Sequence, residues 1–160
     1  QRIRSAAQRM QHVVTALLGL FRAEGDPRRE SIDLQALVAS LPDAPLPVHT
    51  QQDAELQADA DLLAATLINL LDNADRHGAR QVRVTVPRPQ VLRVEDDGQG
   101  LAPEQRATLE RALAEHDHEH LPGLGLVLAD VVARAHGGAV SLPACEQGFA
   151  VELRLAGLPP

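Results

Sequence analysis

The chain opens on a run whose apolar side chains recur at alternating steps of four and three: Ile3, Ala7, Met10, Val14, Leu17 and Phe21. That spacing is the seam of a coiled coil or helical bundle. Ala6, Val13 and Leu20 widen the stripe, and Gly25-Asp26-Pro27 ends it, because glycine and proline stop helices. A helix is therefore predicted over residues 1–24. Such a helix can lie on its own domain's core, but a strict seam on a terminal helix favours a partner helix.

The remaining pattern is mixed. Residues 31–41 read as a short helix with Ile32, Leu34, Leu37, Val38 and Leu41 on its apolar side, followed by a loop with Pro42, Pro45 and Pro47 and a short strand over 47–50. Asp59 or Asp61 can cap the next helix, which runs to about His77 and buries Leu63, Leu67, Leu70, Leu71 and Ala74. Residues 81–86 and 91–95 alternate as strands, with Val82, Val84 and Val86 on one side. A helix is predicted over 103–115, then a polar, histidine-rich stretch at 116–120, a helix over 124–135 ended by Gly137-Gly138, and strands over 139–142 and 149–155. This order predicts an α/β (α+β) two-layer sandwich: a mixed, mostly antiparallel sheet of about five strands, about three helices on one face, and the long N-terminal helix in front. A length of 160 residues suits one such domain with one appended element. The core must be aliphatic, since there is no Trp, no Tyr and only two Phe.

Charge narrows the function classes. The net charge of −7 argues against nucleic acid as a partner. Any phosphate site must then be local, built from backbone N–H groups, a metal and one or two arginines. Cys145 is the only cysteine, so no internal disulfide forms, which fits a reducing compartment. No run approaches the roughly 18 apolar residues of a membrane span, so no membrane contact by this segment is expected. The chain begins with Gln1 rather than Met and reads as a piece of something longer, in which a membrane anchor could lie elsewhere.

Three segments have the composition of a ligand site. In NLLDNADRHG, Asn69 and Asn73 are four apart and Arg76 follows three later, which sets them on one side of one helix. An amide oxygen is a hard ligand suited to Mg²⁺, and arginine suits phosphate; an ordinary amphipathic helix with its polar face in water explains the same residues. In VEDDGQGL, a strand runs into Asp96, and Gly98 and Gly100 bend the backbone. A carboxylate there can accept a hydrogen bond from an adenine amino group, although Asp-Gly is also common in plain surface turns. In LPGLGLVLADVV, Gly123 and Gly125 precede a helix, whose free N–H groups attract phosphate. A lone Gly-x-Gly without a following Lys matches neither the P-loop nor the dinucleotide fingerprint.

Taken together, the order and spacing of the three segments resemble the N, G1 and G2 boxes of the GHKL ATPases, and within them the catalytic, ATP-binding part of a bacterial sensor histidine kinase. The resemblance covers Ile32 to Leu155 and includes His136-Gly137-Gly138 and the closing strand. Residues 1–25 resemble the second helix of the dimerisation and phosphoacceptor domain, residues 26–31 a linker, and 32–160 the catalytic domain. The resemblance implies ATP and Mg²⁺ as ligands: Asn73 on the metal, Asn69 supporting it or the phosphates, Arg76 on the phosphates, and His77 near the nucleotide. It implies Asp96 on the adenine amino group, Gly98, Gly100 and Leu101 shaping the base pocket, and Gly123, Leu124, Gly125 and Leu126 closing over the phosphates. Leu121 stands where the family has a further glycine. The segment between the glycine boxes lacks the usual Phe, with Leu109 the nearest substitute and Arg106 and Arg111 as candidate lid cations.

The same resemblance bears on the reaction. Gyrase-type members carry a Glu at the position of Asn69 to activate water; an amide has no titratable group and cannot act as a general base. Transfer of the γ-phosphate to a histidine, then to an aspartate on a response regulator receiver domain, is the expectation. The acceptor histidine is expected outside this sequence, since His12 is followed by Val13-Val14 rather than an acid. The implied partners are the protein's own dimerisation domain, as a homodimer in the full protein, and a response regulator; the implied place is the cytoplasmic portion of an inner-membrane-anchored kinase. His116, His118 and His120 read as a solvated lid, and Cys145 as a small buried hydrophobe. Three other readings stand beside this one: a degenerate nucleotide-binding scaffold, a gyrase- or chaperone-type ATPase, and a purely structural helical adaptor.

Overall fold

A computed structural model describes residues 2–156, apart from the side chains of Arg2, Ser5, Arg9, His12 and Ala16. His12 as an acceptor, and residues 157–160 of the expected catalytic domain, therefore fall outside the described residues. A long helix α1 (Arg2–Ala23) precedes β1 (Glu30–Asp33), α2 (Leu34–Ala39), β2 (Val48–Thr50), β3 (Glu55–Ala58) and α3 (Ala60–Arg76). Then come β4 (Val82–Arg88), β5 (Val91–Asp96), α4 (Pro103–Glu115), a 3-10 turn (His118–His120), α5 (Gly123–Ala135), β6 (Ala139–Ser141) and β7 (Ala150–Arg154).

The main sheet has five strands in the order β2-β4-β5-β7-β6. Only β2 runs parallel to its neighbour; the other pairings are antiparallel. Strand alternation decides which residues meet the helices. Val84 sits opposite Val94, Val94 opposite Val151, and Leu92 opposite Leu153, and all are buried under α3 and α5. Asp96 is opposite Val82 and continues the Leu92–Val94 row, so it falls on the helix-covered face at the end of its strand. The other face is charged: Arg93 pairs with Glu95 (2.7 Å) and Glu152 (3.4 Å), and Arg88 with Glu152 (2.6 Å).

The helices follow their apolar stripes. Asp59 caps α3, accepting from the Asp61 and Leu62 N–H groups at 3.1 Å, and Leu63, Leu67, Leu70, Leu71 and Ala74 are all buried. α5 buries Leu126, Leu128, Ala129, Val132 and Ala133.

One expected element starts later than predicted. Residues 30–33 pair antiparallel with β3 as a separate two-stranded sheet, and the helix begins only at Leu34, where Asp33 accepts from the Ala36 N–H at 2.7 Å. A four-residue strand that buries only Ile32 carries too little alternation to announce itself, and the cap fixes the boundary. β3 is equally short, and its one large apolar residue, Leu56, leaves no run to read.

α1 lies on the backs of the two helices that carry the polar motifs. A side-chain carbon at Gly19 would stand 3.2 Å from Leu128 and 3.6 Å from Ala65, so the missing side chain lets α1 approach α5 and α3 closely. Arg22 pairs with Asp61 (2.7 Å) and Asp59 (3.3 Å). The seam is turned away from the domain: Ile3, Met10, Val14, Leu17 and Phe21 are all exposed, Ile3 by 86%. Among the described residues no helix is long and apolar enough to cross a membrane.

Candidate nucleotide site

Two of the three segments meet directly. The turn after β5 docks on the C-terminal end of α3: the Gln99 N–H donates to the His77 carbonyl at 3.3 Å, and a side-chain carbon at Gly98 would lie 2.9 Å from that carbonyl. The third segment joins through α3 as well, since a side-chain carbon at Gly125 would lie 3.3 Å from the Asn69 carbonyl. Both glycines are sites of close backbone approach, and this is how the sequence draws the segments to one place.

Between them is a cavity of about 450 Å³. Its wall includes Asn73 and His77 from α3, Asp96, Gly100 and Leu101 from the acidic turn, and Leu126 from α5. It also includes residues that sequence reasoning did not place there as ligands: Gln105, Thr108 and Leu109 of α4, Glu119, His120, Leu121 and Pro122 of the segment before α5, and Phe149. Leu109 and Leu121, the two departures from the family pattern, are buried parts of this wall. Nothing local marked Gln105 or Thr108. Phe149, by contrast, immediately precedes β7 and is one of only two Phe in the chain.

The remaining sequence-predicted residues stand around the cavity rather than in its wall. The Asn69 amide is buried and donates to the Ala65 carbonyl at 2.8 Å. Arg76 is exposed and paired with Asp72. Gly98, Gly123, Leu124 and Gly125 form the backbone turns at its two ends. Arg106 is an anchor rather than a lid cation, donating to the carbonyls of Leu142 (3.1 Å) and Pro143 (2.7 Å). A larger cavity of about 590 Å³ lies on the other side of α4, against α5 and β6, and contains none of the residues expected to bind nucleotide.

The two adjacent acids have different tasks. Asp97 is turned outward and accepts from the Arg80 (2.7 Å) and Gln81 (3.1 Å) N–H groups, which hold its carboxyl below the usual carboxylate range. Asp96 is half-buried, and that burial pushes its carboxyl up, against the opposing pull of hydrogen bonds at Gly98 and Phe149. One oxygen, Oδ1, accepts from the Gly98 N–H at 2.8 Å. The carboxyl lines the cavity. The turn is held from behind by Gly148, whose φ of +80° and position against the Asp96 carbonyl leave no room for a side chain.

The Asn73 side-chain amide has no hydrogen-bond partner among the described residues. An unpartnered amide oxygen in a cavity wall fits a hard cation such as Mg²⁺. Among the described residues no cluster of three His, Cys, Asp or Glu could hold a metal alone, so an ion here would need further oxygens from its ligand. At the third segment, α5 starts at Gly123 after Pro122 with no side-chain cap, which leaves its first N–H groups available to an anion.

Such a site has a known setting. The family model for histidine kinase-, DNA gyrase B- and HSP90-like ATPases matches residues 58–157, and the chain belongs to that family. Over 88 residues it is 42% identical to the sensor protein kinase CarS of Pseudomonas aeruginosa, covering 52% of this chain and 20% of that protein. Over 148 residues it is 33% identical to the sensor protein CseC of Streptomyces avermitilis, covering 84% of this chain and 29% of that protein. The chain thus spans less than a third of the length of these relatives. Among solved structures, the ATP binding domain of PrrB from Mycobacterium tuberculosis aligns with a TM-score of 0.61 at 22% identity, covering 84% of this chain and all of that one. The histidine kinase AdeS of Acinetobacter baumannii aligns with a TM-score of 0.63 at 21% identity, covering 98% and 83%. These two share the fold.

Proposed function

We propose that this chain is the catalytic, ATP-binding part of a two-component sensor histidine kinase, and that its cavity holds Mg-ATP. The observation that carries the reading is one cavity with the Asp96 carboxylate at one end of its wall and an unpartnered Asn73 amide in the same wall. Asp96, oriented by the Gly98 N–H, accepts the adenine amino group; a guanine carbonyl at that place would meet an acceptor and be refused. Leu101, Leu109, Leu126 and Phe149 supply apolar walls for the base. Asn73 offers its oxygen to Mg²⁺, which would neutralise phosphate charge. Asn69 supports it one turn earlier, and Arg76, exposed, reaches the phosphates by exchanging its contact with Asp72. The uncapped start of α5 at Gly123–Gly125 receives phosphate oxygens on backbone N–H groups, with Leu124 and Leu126 anchoring that turn.

No carboxylate stands at position 69, so hydrolysis lacks a general base there, and transfer of the γ-phosphate to a histidine is the supported outcome. The exposed seam of α1 fits a bundle with a second copy and with the helix that carries the acceptor histidine. The phosphoryl group then passes to a response regulator aspartate, in the cytoplasmic portion of a larger, membrane-anchored kinase. Replacing Asn73 by Ala tests the site: Mg-dependent ATP binding is lost while the circular dichroism spectrum and melting temperature stay as they were. Unchanged affinity for Mg-ATP in that variant would remove Asn73 from the metal. Radiolabel from γ-labelled ATP should appear on a separately supplied dimerisation helix pair with its acceptor histidine, and not on this chain alone.

A further inference from the structure

The segment 116–122 carries three histidines, and they do not share one environment. Glu119, His120, Leu121 and Pro122 line the nucleotide cavity. His118 turns the opposite way: its Nε2 lies 2.7 Å from Oδ2 of Asp130 on α5. Asp130 is 3% exposed and is gripped by Arg134 through Nε (3.1 Å) and Nη2 (2.9 Å). With its arginine in place the carboxylate is an acceptor, so the His118 ring donates its Nε2–H to it. The segment is also internally tied: the His120 N–H donates to the Asp117 carbonyl (3.3 Å), the Leu121 N–H to the His118 carbonyl (3.3 Å), and Asp117 Oδ2 lies 2.6 Å from His120 Nδ1. Whatever holds His118 therefore holds this segment of the wall.

We propose that His118, docked on the Asp130–Arg134 pair, is a positioning residue that latches the wall of the nucleotide cavity to α5. It does not touch the cavity itself. Its partner sits on the same helix whose first turn carries Gly123 and Gly125, so the latch fixes the wall relative to the phosphate end of the site. A wall already in place need not be ordered when ligand arrives, and that saving appears as affinity. The latch rests on the nucleotide-site reading above for its effect on affinity, but its geometry stands apart from it.

The test compares His118→Phe, which keeps ring bulk without a donor, with His118→Gln, whose amide can still donate to Asp130. Two readouts are taken on the full chain: amide hydrogen exchange over residues 117–121 without ligand, and titration with Mg-ATP. With His118 36% exposed, the Phe variant is expected to bind Mg-ATP about fivefold more weakly, the usual net worth of one partly solvated charged hydrogen bond, and to exchange those amides faster. The Gln variant is expected near wild type in both, and the melting temperatures of all three agree within about 2 °C. Faster exchange in Phe but not in Gln supports the latch even if wild type binds no ATP; in that case the nucleotide reading fails and the latch stands. Unchanged exchange in the Phe variant overturns it, as does, where the wild type binds Mg-ATP, equal affinity in all three proteins or tighter binding by the Phe variant.

Discussion

Replacing Asp96 by Asn separates recognition from stability at one atom. Asn keeps the shape of the side chain, and its carbonyl can still accept from the Gly98 N–H that now bonds Oδ1 at 2.8 Å. What changes is the other terminal atom, a carboxylate oxygen of a group lining the cavity that becomes an NH₂ donor. Facing an adenine amino group, a donor meets a donor. A hydrogen bond to a charged group contributes about 1.5–3 kcal/mol, so Mg-ATP affinity should fall by about tenfold to 150-fold. Stability should move the other way. Burial raises the pKa of Asp96 from the ordinary value of 3.8, so the folded state binds a proton more readily than the unfolded chain. Its contribution is therefore most favourable at low pH and is lost as pH rises through the raised value. Removing the charge relieves that cost, and the melting temperature at neutral pH should be equal or higher. Calorimetric titration with Mg-ATP and Mg-GTP, beside thermal melts, reads both. An Asn variant that binds ATP as tightly as wild type and still rejects GTP would refute the assignment of the purine contact.

Three further expectations follow from the same geometry. Gly148→Ala forces a side chain at φ +80°, with its Cβ 1.9 Å from the Asp96 carbonyl oxygen; the cost is about 2 kcal/mol or more, and urea unfolding should show it together with weakened nucleotide binding. His136 is buried, with Nε2 accepting from the Asp59 N–H (2.9 Å) and Nδ1 donating to the Val132 carbonyl (2.8 Å), and burial lowers its pKa from 6.5. Below pH 6.5 the unfolded chain takes up a proton that the folded chain refuses, so stability in urea should decline as pH falls from 6.5 through the lowered value. Mg-ATP affinity should fall on acidification at a higher pH than an ordinary Asp would produce, because protonating Asp96 places a hydrogen on the acceptor; a pH titration in which the Asn variant shows no such step checks this.

The fold was legible where period and caps were strong. The α3 stripe ending at Ala74, the Val82–Val84 alternation and the Asp59 cap all follow from the chain's own pattern. β1 and β3 were not legible, because four-residue strands that pair only with each other leave no period to read. For the site, Asn73, Asp96 and Gly100 could be named because their types imply chemistry, and Leu101 because of the resemblance to the family. The roles of Gly148, Gln105 and Thr108 come from tertiary approach alone: Gly148 is more than fifty residues from Asp96 yet lies against its carbonyl. The histidines at 116–120 read as a solvated stretch. His118 departs from that only because α5 brings a buried carboxylate beneath it, a fact that no local pattern carries.

The central claim, one cavity with the purine at Asp96 and the metal at Asn73, is tested most directly by nuclear magnetic resonance of the labelled chain titrated with magnesium and a non-hydrolysable ATP analogue. The account predicts shifts at the Asn73 side-chain amide and at the backbone amides of His77, Gly98, Gly100, Leu101 and Gly123–Leu126, with the Asn73 signal responding only when magnesium is present. Shifts confined to Ala139–Pro143, beside the larger cavity, or an Asn73 amide indifferent to magnesium, would contradict it.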